Sequence, residues 1–131
     1  MENLILGIHH VALKYKGYEK FQEALYFYHE LLGLPILRSW GRGSDAAAML
    51  DTGSGILELF ANGAGLTHGV VNHIALATKD VDLCINIVRM SGYEIILEPM
   101  DQIFPVKPPY AARLAFCIGP GGEKVEFFCE Q

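Results

Sequence analysis

The sequence is short of positive charge. Ten lysines and arginines stand against fifteen aspartates and glutamates, a formal net charge of −5 over 131 residues, and the basic residues are scattered rather than gathered. A phosphate backbone is bound by a basic patch or stripe, so nucleic acid is not an expected partner. Long apolar runs are missing too, and nothing approaches the roughly 20 residues that a bilayer crossing requires. The opening MENLILGIHHVALKYK has an acid at position 2 and too short an apolar stretch for a secretory signal. A cytoplasmic protein with no membrane contact is expected. Cysteine is scarce: Cys84, Cys117 and Cys129 are odd in number and have no C-x-x-C spacing. They make neither a disulfide framework nor a zinc knuckle, and within LAFCIG and EFFCEQ they read as reduced core residues.

What is present is a chain that is 51% hydrophobic, enough for one compact domain or two very small modules sharing a core. Ile8 to Tyr15 alternates as a strand, with His10, Ala12 and Lys14 on one face and Val11, Leu13 and Tyr15 on the other. Phe21, Leu25, Tyr28 and Leu32 then recur at helical spacing, and Gly33 sits where a helix ends. Strands follow over about 35–40, 46–50 and 56–60, separated by the turn-rich GRGSD and DTGSG. The order is repeated in the second half: a strand over 71–77, a helix over 80–90 with Val81, Cys84, Ile85 and Val88 on its apolar face, then strands over 93–97, 113–118 and 124–129. The four-proline segment EPMDQIFPVKPPY is expected to be an irregular loop over one mouth of the sheet.

Two copies of one unit are therefore expected, about 5–64 and 69–130. IHHVALK aligns with VNHIALA, setting His10 against His73, and SGILELF aligns with GEKVEFF, setting Glu58 against Glu126. Alternation places Glu58 with Ile56 and Phe60, and Glu126 with Lys124 and Phe128, opposite the apolar pairs Leu57/Leu59 and Val125/Phe127. If the sheets curl into one half-barrel, both histidines and both glutamates converge on its concave side. Two imidazoles and two carboxylates suit one divalent ion such as Ni, Co, Zn, Mn or Fe, with positions left open for water or substrate. A lone strand histidine more often bonds a backbone carbonyl, and a lone glutamate on a strand more often faces solvent. Repetition in matching frames is what raises these four above that reading. His9, His29 and His68 lack it and are expected to be ordinary structural or turn residues.

These segments resemble the vicinal-oxygen-chelate superfamily, which includes glyoxalase I, methylmalonyl-CoA epimerase, extradiol dioxygenases, fosfomycin-resistance thiol transferases and metal-free bleomycin-binding proteins. IHHVALK followed by ALYFYHELLGLPILR is similar to the family's opening, HIAL to the start of its second module and GGEKVEFF to its closing strand. The resemblance implies an α+β fold of two β-α-β-β-β modules, a curved, mostly antiparallel half-barrel with helices outside. It also implies a homodimer in which module one of a chain pairs with module two of its partner. Ligands at all four positions resemble glyoxalase I, implying a lyase or isomerase that moves a proton in a 2-oxoaldehyde–thiol hemithioacetal or a similar vicinal-oxygen substrate. Glu126 would then be the base and Glu58 chiefly a ligand, although pseudo-symmetry leaves either carboxylate open to the role.

Glutathione-binding positions of that family correspond to Lys14 and Asn62. Asn62 matches, whereas Lys14 keeps the charge of the usual arginine without its bidentate fork. Lys107 lies near a further basic position of the family. Phe60, Phe128, Trp40 and Met49 are candidate walls of an apolar, water-poor substrate cup, and all four can equally be core. An epimerase or a thiol transferase on the same scaffold is an alternative. So is a metal-free protein that sequesters a drug or antibiotic, which would have no need of two histidines and two glutamates.

Overall fold

The computed structural model describes residues 9–63, 73–105 and 109–131, and the chain divides into two compact units, Met1–Gly65 and Leu66–Gln131. The first contains strand β1 (His10–Lys14), helix α1 (Tyr18–Leu25), and strands β2 (Ile36–Trp40), β3 (Ala47–Asp51) and β4 (Ile56–Phe60). The second contains β5 (Ile74–Ala77), α2 (Val81–Met90), β6 (Ile95–Phe104), β7 (Tyr110–Ile118) and β8 (Lys124–Glu130). Each unit is thus β-α-β-β-β with one four-stranded mixed sheet, in the orders β1-β4-β3-β2 and β5-β8-β7-β6. The first strand of each pairs parallel to the last, and the other neighbours are antiparallel. The expected α+β class is what the chain adopts.

Period-2 alternation divides each sheet into two faces of different chemistry. In β1, His10, Ala12 and Lys14 are exposed while Val11 and Leu13 are half-buried. Leu57 and Leu59 of β4 and Leu50 of β3 are fully enclosed and form the core of the first unit with Phe21, Ala24, Phe27 and Tyr28. Phe27 and Tyr28 are consecutive and both have no exposed surface, so the buried face is broad here. Over Tyr26–Leu31 the helix widens to a π-helical turn, with Leu32 N–H donating to the Phe27 carbonyl at 3.1 Å. The expected helix over 18–32 is therefore present but changes pitch, and Gly33, at φ +78°, takes the left-handed conformation that ends it.

In the second unit, Val81, Ile85 and Val88 of α2 pack on β6, β7 and β8 against Ala115, Cys117, Val125 and Phe127. Asp80 caps this helix, its carboxylate accepting from Leu83 N–H at 3.0 Å. The Arg113 guanidinium, on the helix side of β7, donates to both Asp82 carboxylate oxygens at 2.7 and 2.9 Å and holds that carboxyl below its ordinary range. Burial pushes the Cys117 thiol up to about 12 and also raises that of Cys84. All three cysteines are free.

One expectation is overturned. The proline-rich segment was expected to be irregular, yet β6 runs through Glu98, Pro99 and onward to Phe104, and β7 begins at Tyr110. The reason lies in sheet order: β6 is an edge strand, where a residue without an N–H leaves no ladder bond broken. The register shifts between Leu97 and Met100, around Pro99, as a bulge would. Part of the expected loop, residues 106–108, lies outside the described residues, as do His68 and Lys107. If α2 is held as described, Asp80→Ala should cost about 1 kcal/mol of unfolding free energy through the lost cap. Ile85→Ala should cost about 2–5 kcal/mol. Urea denaturation of the two variants checks the ranking, and equal small losses would contradict the packing.

Candidate metal and substrate site

Two carboxylates break the apolar rule of the core. Glu58 and Glu126 are 7% and 8% exposed, and among the described residues they are the only charged or polar side chains in the buried class. Charged side chains are rarely buried unless paired. Each has a histidine from its own unit beside it: His10, the first residue of β1, has Nε2 3.5 Å from Glu58 Oε1, and His73, the residue before β5, has Nε2 3.3 Å from Glu126 Oε1. Register explains the pairing. Ala12 lies opposite Glu58 and Ala75 opposite Glu126, so in each unit a small residue leaves room for the carboxylate while the histidine two positions earlier reaches it.

The separations fit shared coordination. Two donors each about 2.1 Å from one ion stand about 3.0 Å apart at a right angle and about 3.4 Å apart at the tetrahedral angle. Each His–Glu pair therefore matches two adjacent corners of a coordination shell, and imidazole with carboxylate is a donor set for first-row divalent ions. The donors stand in pairs, and among the described residues no three His, Cys, Asp or Glu gather into one group.

Around the first pair, Met49 lies opposite Glu58 in the β3–β4 ladder. The Trp40 ring meets Phe60 edge-on at 6.3 Å, and Lys14 Nζ lies 5.5 Å from the centre of the Phe60 ring. Lys14, Trp40, Met49 and Phe60 thus gather on the face that carries His10 and Glu58. Asn62 is exposed and forms an isolated antiparallel bridge with Lys16. Around the second pair, Phe116 meets the His73 ring edge-on at 5.3 Å, while Phe128 packs beside Phe104 at 6.2 Å.

His9 departs from expectation. It precedes β1 rather than alternating within the strand expected from Ile8, it is exposed, and its Nδ1 lies 2.9 Å from His10 Nδ1. One ring must donate to the other, and this leaves His10 Nε2 facing Glu58. An ordinary strand alternation concealed this contact; the HisHis doublet was the signal. His29 has the expected structural role, with its Nδ1 2.7 Å from the Leu34 carbonyl. Phe116 and Lys124 carry no motif of their own and emerge only from the fold.

The family model described as Glyoxalase/Bleomycin resistance protein/Dioxygenase superfamily matches residues 7–127, and the chain belongs to that superfamily. Its members commonly bind a divalent metal. No match to a curated protein is found. Among solved structures, an antibiotic-binding protein, TnmS3, from Streptomyces sp. CB03234 is 16% identical, with 99% of this chain and 100% of that one covered and a TM-score of 0.72. A putative glyoxalase family protein from Bacillus anthracis is 19% identical over the whole of both chains, also at 0.72. A glyoxalase family protein from Enterococcus faecalis is 22% identical, covering 96% of this chain and 99% of that one, at 0.68. At such identities these likenesses speak for the fold.

Burial raises the Glu126 carboxyl above its ordinary value, with the neighbouring His73 opposing the shift. A raised carboxyl favours the protonated form, so its contribution to stability is present at low pH and lost as pH rises through the folded-state value. In chelator-treated protein, Glu126→Gln should therefore be more stable than the parent at pH 7, and the difference should shrink towards zero below pH 4.5, the unshifted value. Thermal midpoints at the two pH values read this directly; a variant less stable at pH 7 would contradict it.

Proposed function

We propose that the protein is a metal-dependent lyase or isomerase of the glyoxalase I type, in which His10, Glu58, His73 and Glu126 hold one divalent ion. The observation that carries this reading is the repeated burial of a carboxylate beside a histidine at or just before its unit's first strand, once in each unit, at separations that suit coordination. A sequestering protein that binds its ligand by apolar contact gains nothing from two buried ionisable groups, which cost stability when uncompensated. That an antibiotic-binding protein is among the similar structures keeps a metal-free binding role as the alternative. A bound ion of Ni, Co, Zn, Mn or Fe would supply Lewis-acid polarisation of adjacent substrate oxygens.

The chain's own residues supply the rest. Glu126, with a carboxyl raised by burial, is a better base than an exposed glutamate. It takes the proton from the carbon beside a carbonyl and returns it to the neighbouring carbon. Glu58 is chiefly a ligand. Phe60, Phe128, Trp40 and Met49 limit water at the reacting carbons, and Lys14 and Asn62 hold the remote part of the substrate. A homodimer is supported by apolar residues left exposed on the edge strands, Ile36, Leu37 and Trp40 on β2 and Ile96, Met100 and Ile103 on β6. The free cysteines and the lack, among the described residues, of any helix long and apolar enough to cross a membrane support a cytoplasmic location.

Assay of the metal-loaded protein with hemithioacetals of several thiols tests the reaction. Glu126→Gln should retain metal and lose on the order of a hundred-fold or more in rate. If Glu58→Gln is inactive while Glu126→Gln is fully active, the two roles are exchanged; if both remain active, proton transfer by these carboxylates is wrong.

A further inference from the structure

The second unit holds a cavity of about 180 Å³ lined by His73, Ile96, Leu97, Phe116 and Lys124. Its walls come from three parts of one sheet. Ile96 and Leu97 belong to the edge strand β6, Leu97 lying beside Phe116 of β7. Lys124 opens β8, on the same face as Glu126 and opposite Ile118. The His73 ring closes the remaining side, held edge-on by Phe116.

Two features distinguish this open, shallow cavity. The lining joins three apolar side chains to a single cation, and no described residue gives the Lys124 ammonium an ion pair or hydrogen bond. Every other described lysine or arginine on the three strands β6, β7 and β8 is tied up: Arg113, the remaining one, is committed to Asp82 and Asp101. The first unit also has no counterpart. Its matching position is Ile56, which lies opposite His10, so the cation is a feature of one half of the repeat alone. The volume is below the ~300–1,000 Å³ typical of pockets for drug-sized ligands, which restricts the occupant to a small body.

We propose that this cavity binds a small apolar carboxylate, with its hydrocarbon body against Phe116, Ile96 and Leu97 and its carboxylate paired to Lys124. This deepens the function proposed above and rests on it: the substrate reacting beside His73 and Glu126 would carry a short apolar acid as its remote part. The apolar wall supplies contact area, and the ammonium at the rim supplies selection for the anion over its neutral isostere.

The test uses phenylacetate and phenylacetamide, which differ in charge and hardly in shape. Both are titrated into chelator-treated protein and followed by amide and side-chain chemical shifts, so the result does not depend on whether the four donors hold a metal. Phenylacetate should bind about five-fold more tightly than the amide, the size expected of a partly exposed ion pair, with shifts centred on His73 and Phe116. Lys124→Met should erase the preference while leaving amide binding unchanged, and Lys124→Arg should keep it. Phe116→Ala should weaken both ligands together. Equal affinity of acid and amide, a preference that survives Lys124→Met, shifts centred elsewhere, or no binding of either compound would each overturn the proposal. Failure of metal binding with phenylacetate selectivity intact would instead strike at the function proposed above.

Discussion

Taking a carboxylate out of water is among the more costly things a small domain can do, amounting to several kcal/mol unless partners compensate it. Here it happens twice, at Glu58 and Glu126, at the same place in each repeat. In both cases the compensating neighbour is a histidine at the start of β1 or immediately before β5, the strands paired in parallel with those that carry the glutamates. Parallel pairing of the first and last strands of each unit is therefore the constraint on which the site depends. It brings together residues that are some fifty positions apart in the chain, and the crossover through α1 or α2 is what makes such pairing possible.

The same crossover sorts the chemistry between faces. Leu57, Leu59, Val125 and Phe127 turn towards the helices and complete the apolar cores, leaving the opposite faces free for His10, Glu58, His73 and Glu126. Small residues at Ala12 and Ala75 keep space beside the carboxylates. The repeat is not exact in its surroundings. Lys14 lies over Phe60 at the end of β1, whereas Lys124 stands at the start of β8 beside a cavity.

Much of this could be read from residue order because the governing periods are short. Alternation over Ile56–Phe60 and Lys124–Glu130 assigns the faces, and the internal repeat matches His10 with His73 and Glu58 with Glu126. What escaped depends on tertiary context. Pro99 looked like a strand breaker because nothing local shows that β6 occupies a sheet edge. The π-helical turn was hidden because the spacing of Phe21, Leu25, Tyr28 and Leu32 was matched to a 3.6-residue period. The contact of His9 with His10 was missed because β1 was expected to begin two residues earlier than the observed start at His10. Lys124 was visible only as a face-mate of Glu126; its place at a cavity requires Phe116 and Leu97 from other strands.

The proposed function requires one ion held jointly by His10, Glu58, His73 and Glu126. Titration of metal-free protein with Co(II), followed by its visible absorption, measures this most directly. Saturation is expected at one ion per chain, with bands of mixed nitrogen and oxygen coordination, and the whole signal should be lost on His10→Ala as well as on His73→Ala. Two independent ions per chain, each lost with one histidine alone, or no uptake at all, would contradict it.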